Sequence, residues 1–384
     1  MKIAIVNSNF VKIGKNTKKG TEIIAYVLMK ELAKRAKKKN LKITAFASGN
    51  SKIPVKIESV NHLPSVDDKC IGLNNHILFE LSLVSKAFSM QNKFDIFHAN
   101  FGGGEIILPF AKFVKKPIVV TMHGILSEPS AKKYFSLYKD LKNVFFVSIS
   151  NSQRKPLPNL NYIRTIYHGI DTKKEFQFNP LGDNYLMWSG RAVPEKGLDV
   201  VLQVIKITKK KAKIFPIIKN EYLAWLREII LKRRNIVNQA ISIYTDFDVH
   251  RLGLAHHYQT SKLFLFPLQW EEPFGLTLIE SMACGTPVIA YACGSVPEIV
   301  KDGETGFIVN SSANDIRGDW IIKKTGLEGL CEAVEKIYAM PQDQYLQMRK
   351  ACRTHVEKNF TVERMVDEYE KVYEEVLNKK KNSG

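Results

Sequence analysis

The sequence predicts an α/β protein made of two Rossmann-like domains. Short β-branched or aromatic runs alternate with longer helical stretches along the whole chain, the pattern of parallel α/β architecture. The 384 residues, at roughly 150 per domain, suffice for two cores. With 45% apolar and 10% aromatic residues, a disordered chain is excluded.

In the first half, strands are expected at Ile3–Val6, Ile43–Phe46, Ile96–His98, Ile118–Met122 and Phe145–Ser148. Helices fall between them over 21–39 and 73–91. In the first of these, Ile24, Val27, Leu28 and Leu32 recur at helical spacing, with Lys30, Lys34, Lys37 and Lys38 mostly off that stripe. In the second half, strands are expected at Tyr185–Trp188, Lys213–Ile218, Ile241–Tyr244, Leu263–Phe266, Pro287–Ala290 and Phe307–Val309. Helices are expected over 197–208, 221–234, 277–284 and 327–339. Tyr167–Asn184, with Gly169, Pro180 and Gly182, is the candidate linker. The domains are therefore set at 1–172 and 173–360, with a final helix, 361–378, packing back on the first. The Lys379–Lys381 tail is expected to be disordered.

The chain carries 57 Lys+Arg against 38 Asp+Glu, a net charge of +19. Residues 1–170 hold 27 basic and 10 acidic side chains, whereas residues 171–384 hold 30 and 28. A basic first half points to an anionic partner: a membrane surface, nucleic acid or an acidic substrate. Nucleic acid is set aside, because no aromatic-interleaved basic module accompanies the charge. The longest apolar runs, such as Leu263–Leu268, fall far short of the ~18 residues a membrane span needs. Met1–Asn7 turns polar too soon for a signal peptide and reads as a buried first strand. Cys70, Cys284, Cys293, Cys331 and Cys352 are scattered, with no Cys-x-x-Cys pair. That pattern points away from disulfides and zinc and toward a reducing cytoplasm.

The segment richest in chemistry runs from Trp270 to Ala290, WEEPFGLTLIESMACGTPVIA. Pro273 and Gly275 force a turn after the strand ending near Phe266. A helix then starts near Leu276 and stops at Gly285, and Pro287 opens another strand. A helix N-terminus behind a glycine turn offers N–H groups to a phosphate or a sugar hydroxyl. Glu272 lies just before the turn and Glu280 one turn inside the helix. Both carboxylates can then line the crevice at the carboxyl edge of the sheet, where either suits a vicinal diol. On position alone, solvated helix-end charges are an equal reading. Asp246-Phe-Asp248 is read as a loop acid pair and not a metal site. His256-His257 has no further ligand at zinc spacing and is placed on a surface helix. Phe101-Gly-Gly-Gly-Glu105 lacks the spacing of a dinucleotide fingerprint, and no nucleophile elbow is present.

This segment resembles the retaining nucleotide-sugar glycosyltransferases of family 4, whose signature is E-x(7)-E. Gly294–Val309 continues the match, so that agreement runs over residues 270–309 without a gap. Shorter matches are Lys19-Gly-Thr-Glu22, Ile96-Phe-His-Ala99, Val120-Thr-Met-His-Gly124, Tyr167-His-Gly-Ile-Asp171 and Ser189–Gly197. The resemblance implies the GT-B fold, two Rossmann-like domains facing a central cleft, with donor mainly on the second and acceptor on the first. It implies that Glu280 binds the donor ribose. Glu272 and the backbone of Phe274, Gly275 and Leu276 would hold the transferred sugar, with Thr277 in the same donor site. Arg191 and Lys196 match the family's R-x(4)-K pair on the diphosphate, a role suited to charge that builds as the sugar–phosphate bond breaks. Gly20 matches a loop glycine near the donor phosphates, although the family usually has two glycines where this chain has Lys19-Gly20. His123 matches the cleft histidine near the reacting carbon. The implied catalytic set is His123, Arg191, Lys196 and Glu272, with no metal and no cofactor beyond the nucleotide-sugar substrate.

The function so implied is transfer of a hexosyl unit from a UDP- or GDP-sugar to an acceptor hydroxyl, in glycoconjugate or polysaccharide biosynthesis. One alternative is a soluble transferase acting on a small molecule such as a pterin or a free sugar. Another is a nucleotide-sugar epimerase or sensor on the same fold. Residues 21–39, Lys115-Lys116 and Lys132-Lys133 make peripheral contact with an anionic membrane a candidate, placing a cytoplasmic protein at the inner face.

Overall fold

Among the described residues, each half of the chain builds one parallel sheet. The first contains β1 (Lys2–Asn7), β2 (Lys42–Phe46), β3 (Lys56–Glu58), β4 (Ile96–Phe101), β5 (Ile118–Met122), β6 (Val144–Ser148) and β7 (Tyr162–Thr165). Their spatial order is β3-β2-β1-β4-β5-β6-β7. The second contains β8 (Leu186–Arg191), β9 (Ala212–Ile217), β10 (Ile241–Ile243), β11 (Leu263–Phe266), β12 (Val288–Tyr291) and β13 (Gly306–Val309), ordered β10-β9-β8-β11-β12-β13. Central strands such as Ile3–Val6 and Leu263–Phe266 are buried throughout, as a parallel sheet covered on both faces requires. The computed structural model describes residues 1–231, 241–244 and 251–382. It divides into two units, Met1–Gly169 with Val362–Gly384, and Ile170–Thr361.

In the first unit, Phe46, Phe88, Phe94 and Phe97 meet edge to face, with centroids 5.0–5.9 Å apart. The final helix, Val362–Asn382, belongs to this unit. Tyr373 bonds His98 Nδ1 at 2.7 Å, Tyr369 bonds Thr121 at 2.9 Å, and Arg35 of the first helix reaches Asp367 at 2.5 Å. The second unit packs Trp188, Leu202, Ile205, Leu263, Ile289, Phe307, Leu330 and Val334 into one core.

Several elements differ from expectation. β3 and β7 went unanticipated because Lys56–Glu58 and Tyr162–Thr165 are short, polar edge strands. The Gln342–Asn359 helix also went unanticipated, since its buried side carries Tyr345, Arg349 and Cys352 in place of an aliphatic stripe. Lys379–Lys381 is not a disordered tail. The helix continues to Asn382, with Lys379 bonded to Glu375 one turn back at 3.1 Å. The helix expected over 221–234 is seen at Leu223–Leu231, entered through a single tight turn at Asn220–Tyr222, while 232–234 and Asp246–Asp248 lie outside the described residues.

Candidate active site

Two loops leave the carboxyl edge of the second sheet side by side. β8 and β11 are parallel neighbours, Leu186 against Leu263, yet β8 pairs outward with β9 and β11 with β12. Such a switch point opens a crevice that ligands occupy. β8 runs on to Arg191, one turn follows at Pro194–Lys196, and Gly197 leads into the Leu198–Thr208 helix. Gly197 has φ 69°, and a Cβ there would lie 2.1 Å from the Pro267 carbonyl oxygen. Only glycine lets the two loops approach this closely. They are joined further where Gln269 N–H donates to the Glu195 carbonyl at 3.0 Å.

The second loop carries Trp270 and Glu272 and ends at Gly275, whose φ of 82° turns the chain into the Leu276–Ala283 helix. Lys196 Nζ donates to Glu272 Oε2 at 2.7 Å, and Trp270 Nε1 donates to the same oxygen at 2.9 Å. The Trp270 ring also lies under two cations, Lys196 Nζ at 4.6 Å from its centroid and the Arg191 guanidinium at 5.5 Å. Arg191, Lys196 and Glu272 are thus brought together. Lys196 and Glu272 side chains keep 15% and 14% exposure, enough to meet a ligand. Leu276 and Thr277 stand half-buried in the first turn. Phe274 is buried against Phe360, and its carbonyl accepts Ser295 Oγ–H at 2.8 Å, which leaves it a backbone role at most.

Glu280 is buried on the same helix. Arg251 Nε donates to its Oε1, while the guanidinium lies 3.6 Å from Glu175 and over the Phe176 ring. The expected open carboxylate is therefore engaged by an arginine that sequence reasoning missed. No motif marks Arg251, and nothing in its spacing links it to Glu280. Burial, and then the nearby Glu280 charge, push the Tyr258 hydroxyl well above its ordinary pKa.

The remaining candidates lie in the first unit. Gly20 opens the Gly20–Lys39 helix, and the preceding Lys19 places its ammonium 4.1 Å from the Phe10 ring centroid. Just inside, burial raises the Glu22 carboxyl pKa, with Lys19 opposing. His123 follows β5, meets Asn100 Oδ1 through Nε2 at 3.3 Å and stacks on His168 at 5.3 Å. Burial pushes its pKa down to about 3, so the imidazole is neutral near pH 7. His98 is a core residue held between Thr121 and Tyr373. His257 is not simply on a surface helix, because its ring packs 4.5 Å from Phe215 and 5.5 Å from Tyr244. Among the described residues, no group of three or more His, Cys, Asp and Glu is placed to hold a metal.

Two Rossmann-like parallel-sheet units are the makings of the GT-B fold. Residues 170–337, somewhat under half of the chain, match the family described as glycosyl transferases group 1. It is 25% identical over 394 residues to N-acetyl-alpha-D-glucosaminyl L-malate synthase of Bacillus anthracis, covering 94% of this chain and 96% of that protein. Sucrose-phosphate synthase from Thermosynechococcus elongatus superposes with a TM-score of 0.74 at 17% identity, over 98% of this chain and 99% of that one. Anabaena Alr3699/HepE in complex with UDP and glucose gives 0.72 at 14% identity, over 98% and 100%. No helix among the described residues is long and apolar enough to cross a membrane.

Proposed function

We propose that this chain transfers a hexosyl unit from a UDP- or GDP-sugar to an acceptor hydroxyl, with retention of configuration and without a metal. The observation that carries the reading is the convergence of Arg191, Lys196 and Glu272 at one switch point. As the bond from the anomeric carbon to the phosphate oxygen breaks, negative charge gathers on the departing diphosphate. Arg191 and Lys196 offset it, Lys196 leaving Glu272 for the phosphate as the donor binds. Glu272 then accepts hydrogen bonds from the sugar hydroxyls, beside the first turn of the Leu276–Ala283 helix. Glu280 takes the ribose hydroxyls in competition with Arg251. The leaving phosphate oxygen receives the proton of the incoming acceptor hydroxyl, so no separate base is needed. His123, neutral and half-buried, suits a hydrogen bond to a sugar hydroxyl, and Gly20 a close backbone approach to phosphate. The UDP and glucose named with the Anabaena structure support a nucleotide-sugar donor.

A small anionic acceptor is the second reading, favoured by the basic first half and by the L-malate in the name of the Bacillus relative. The membrane alternative draws support from exposed Leu63, Val66, Leu73, Ile77 and Leu78. Its Ser65 and Val66 N–H groups donate to the Asn9 and Phe10 carbonyls, just ahead of the Lys-bearing 12–19 segment.

A thermal-shift screen across UDP-, GDP- and ADP-sugars tests the donor claim. One nucleotide class should raise the unfolding temperature in proportion to its concentration, and no shift with any of them rejects the function.

A further inference from the structure

We propose that Trp270 is a positioning residue that seats the two diphosphate-binding cations and fixes the glutamate beside them. The inference rests on the donor reading above and adds a residue to it. Arg191 and Lys196 repel one another, and the one carboxylate bonded to the pair, Glu272, meets Lys196 alone, at 2.7 Å. What they share is the Trp270 π face, 5.5 Å and 4.6 Å away. An aromatic face attracts cations without neutralising them, so both charges stay available to an anion. A second carboxylate in that place would hold the lysine and arginine but would also repel the diphosphate.

The indole N–H has a separate task. Glu272 Oε2 accepts from both Lys196 and Trp270. When phosphate draws Lys196 away, the indole bond remains, keeping the carboxylate aimed and hydrogen-bonded through the exchange. Trp188 offers an internal contrast. It is 1% exposed within the core, whereas Trp270 is half-buried on a loop whose neighbours are charged.

The test uses the full chain and inorganic pyrophosphate, a probe that is independent of the donor base, titrated calorimetrically at low ionic strength. Binding at this seat is the component that Arg191→Ala with Lys196→Ala removes. Trp270→Leu, and Trp270→Gln, which keeps an N–H but no ring, should each weaken that component about tenfold. Trp270→Phe, which restores a π face, should stay within about threefold of the parent. The Leu and Gln variants check one another should either fold poorly. Near-parental pyrophosphate affinity in Leu or Gln, a Phe variant as weak as they are, or no component lost in the double variant overturns the proposal. Failure of every nucleoside diphosphate to bind, with the pyrophosphate series as stated, instead rejects the donor reading and leaves the cation seat standing.

Discussion

Arg251 and Glu280 show how much of a site hides below the level of motif. Their pairing needs the fold to bring together side chains 29 positions apart, so sequence register located the glutamate but not its partner. The glutamate is 3% exposed and the arginine 16%, and removing the cation strands a buried carboxylate. Arg251→Met should therefore cost about 3 kcal/mol in urea unfolding, and a loss below about 1 kcal/mol would mean the pair is solvated in effect. His123 makes a pH prediction. Its pKa falls from 6.5 to about 3 on folding, so between those values the unfolded chain binds a proton that the native chain does not. Its contribution is thus complete above pH 6.5 and is lost as pH falls toward about 3, by up to about 1.4 kcal/mol per pH unit. Glu22, whose pKa is raised, acts with the opposite sign, so the comparison must be between variants. From about pH 7.5 to about pH 5.5, His123→Asn should lose less stability than the parent, and an equal loss would contradict burial as the cause.

At the scale of elements, periodicity made most central strands and long helices legible, because a buried parallel strand is a short apolar run and an amphipathic helix repeats its stripe. It failed where burial is polar. Arg349 of the Gln342–Asn359 helix is 0% exposed and donates to the carbonyls of Asn179, Gln259 and Ser261, anchoring loops that no hydropathy pattern links. Replacing it with Leu strips several buried carbonyls of donors at once, an expected cost of about 3–5 kcal/mol by urea unfolding. Two-loop contact at the switch point rests on Gly197. With φ at 69° and the Pro267 carbonyl in the way, Gly197→Ala should cost about 2 kcal/mol or more and weaken nucleotide binding. Gly275→Ala, whose Cβ would meet the side chains of Leu278 and Glu272 and no backbone carbonyl, should cost less despite its φ of 82°. The glycines were readable in sequence, but the close approach that demands one of them was not.

Across the whole molecule, charge separates with the units. The first, with its final helix, holds 32 Lys+Arg against 16 Asp+Glu, and the second 25 against 22. The final helix, with six acidic and five basic side chains, leaves the excess of the basic half almost unchanged. If the acceptor is lipid-linked, the chain should co-sediment with anionic vesicles at about 0.02 M salt and release by about 0.5 M, where screening is short-ranged. Absence of low-salt binding would reject the membrane and favour a small anionic acceptor. The family resemblance rests mainly on Trp270–Val309, since signature, turn and helix fall in one contiguous segment. Acceptor identity was not, because it depends on surfaces that no motif encodes. The central claim is that the switch point of the second unit binds a nucleoside diphosphate through Glu280. Calorimetric titration of the best-stabilising nucleoside diphosphate into the parent and into folded Glu280→Ala tests it most directly. A loss of affinity of about tenfold or more is expected, and equal affinity in the two proteins would contradict the account.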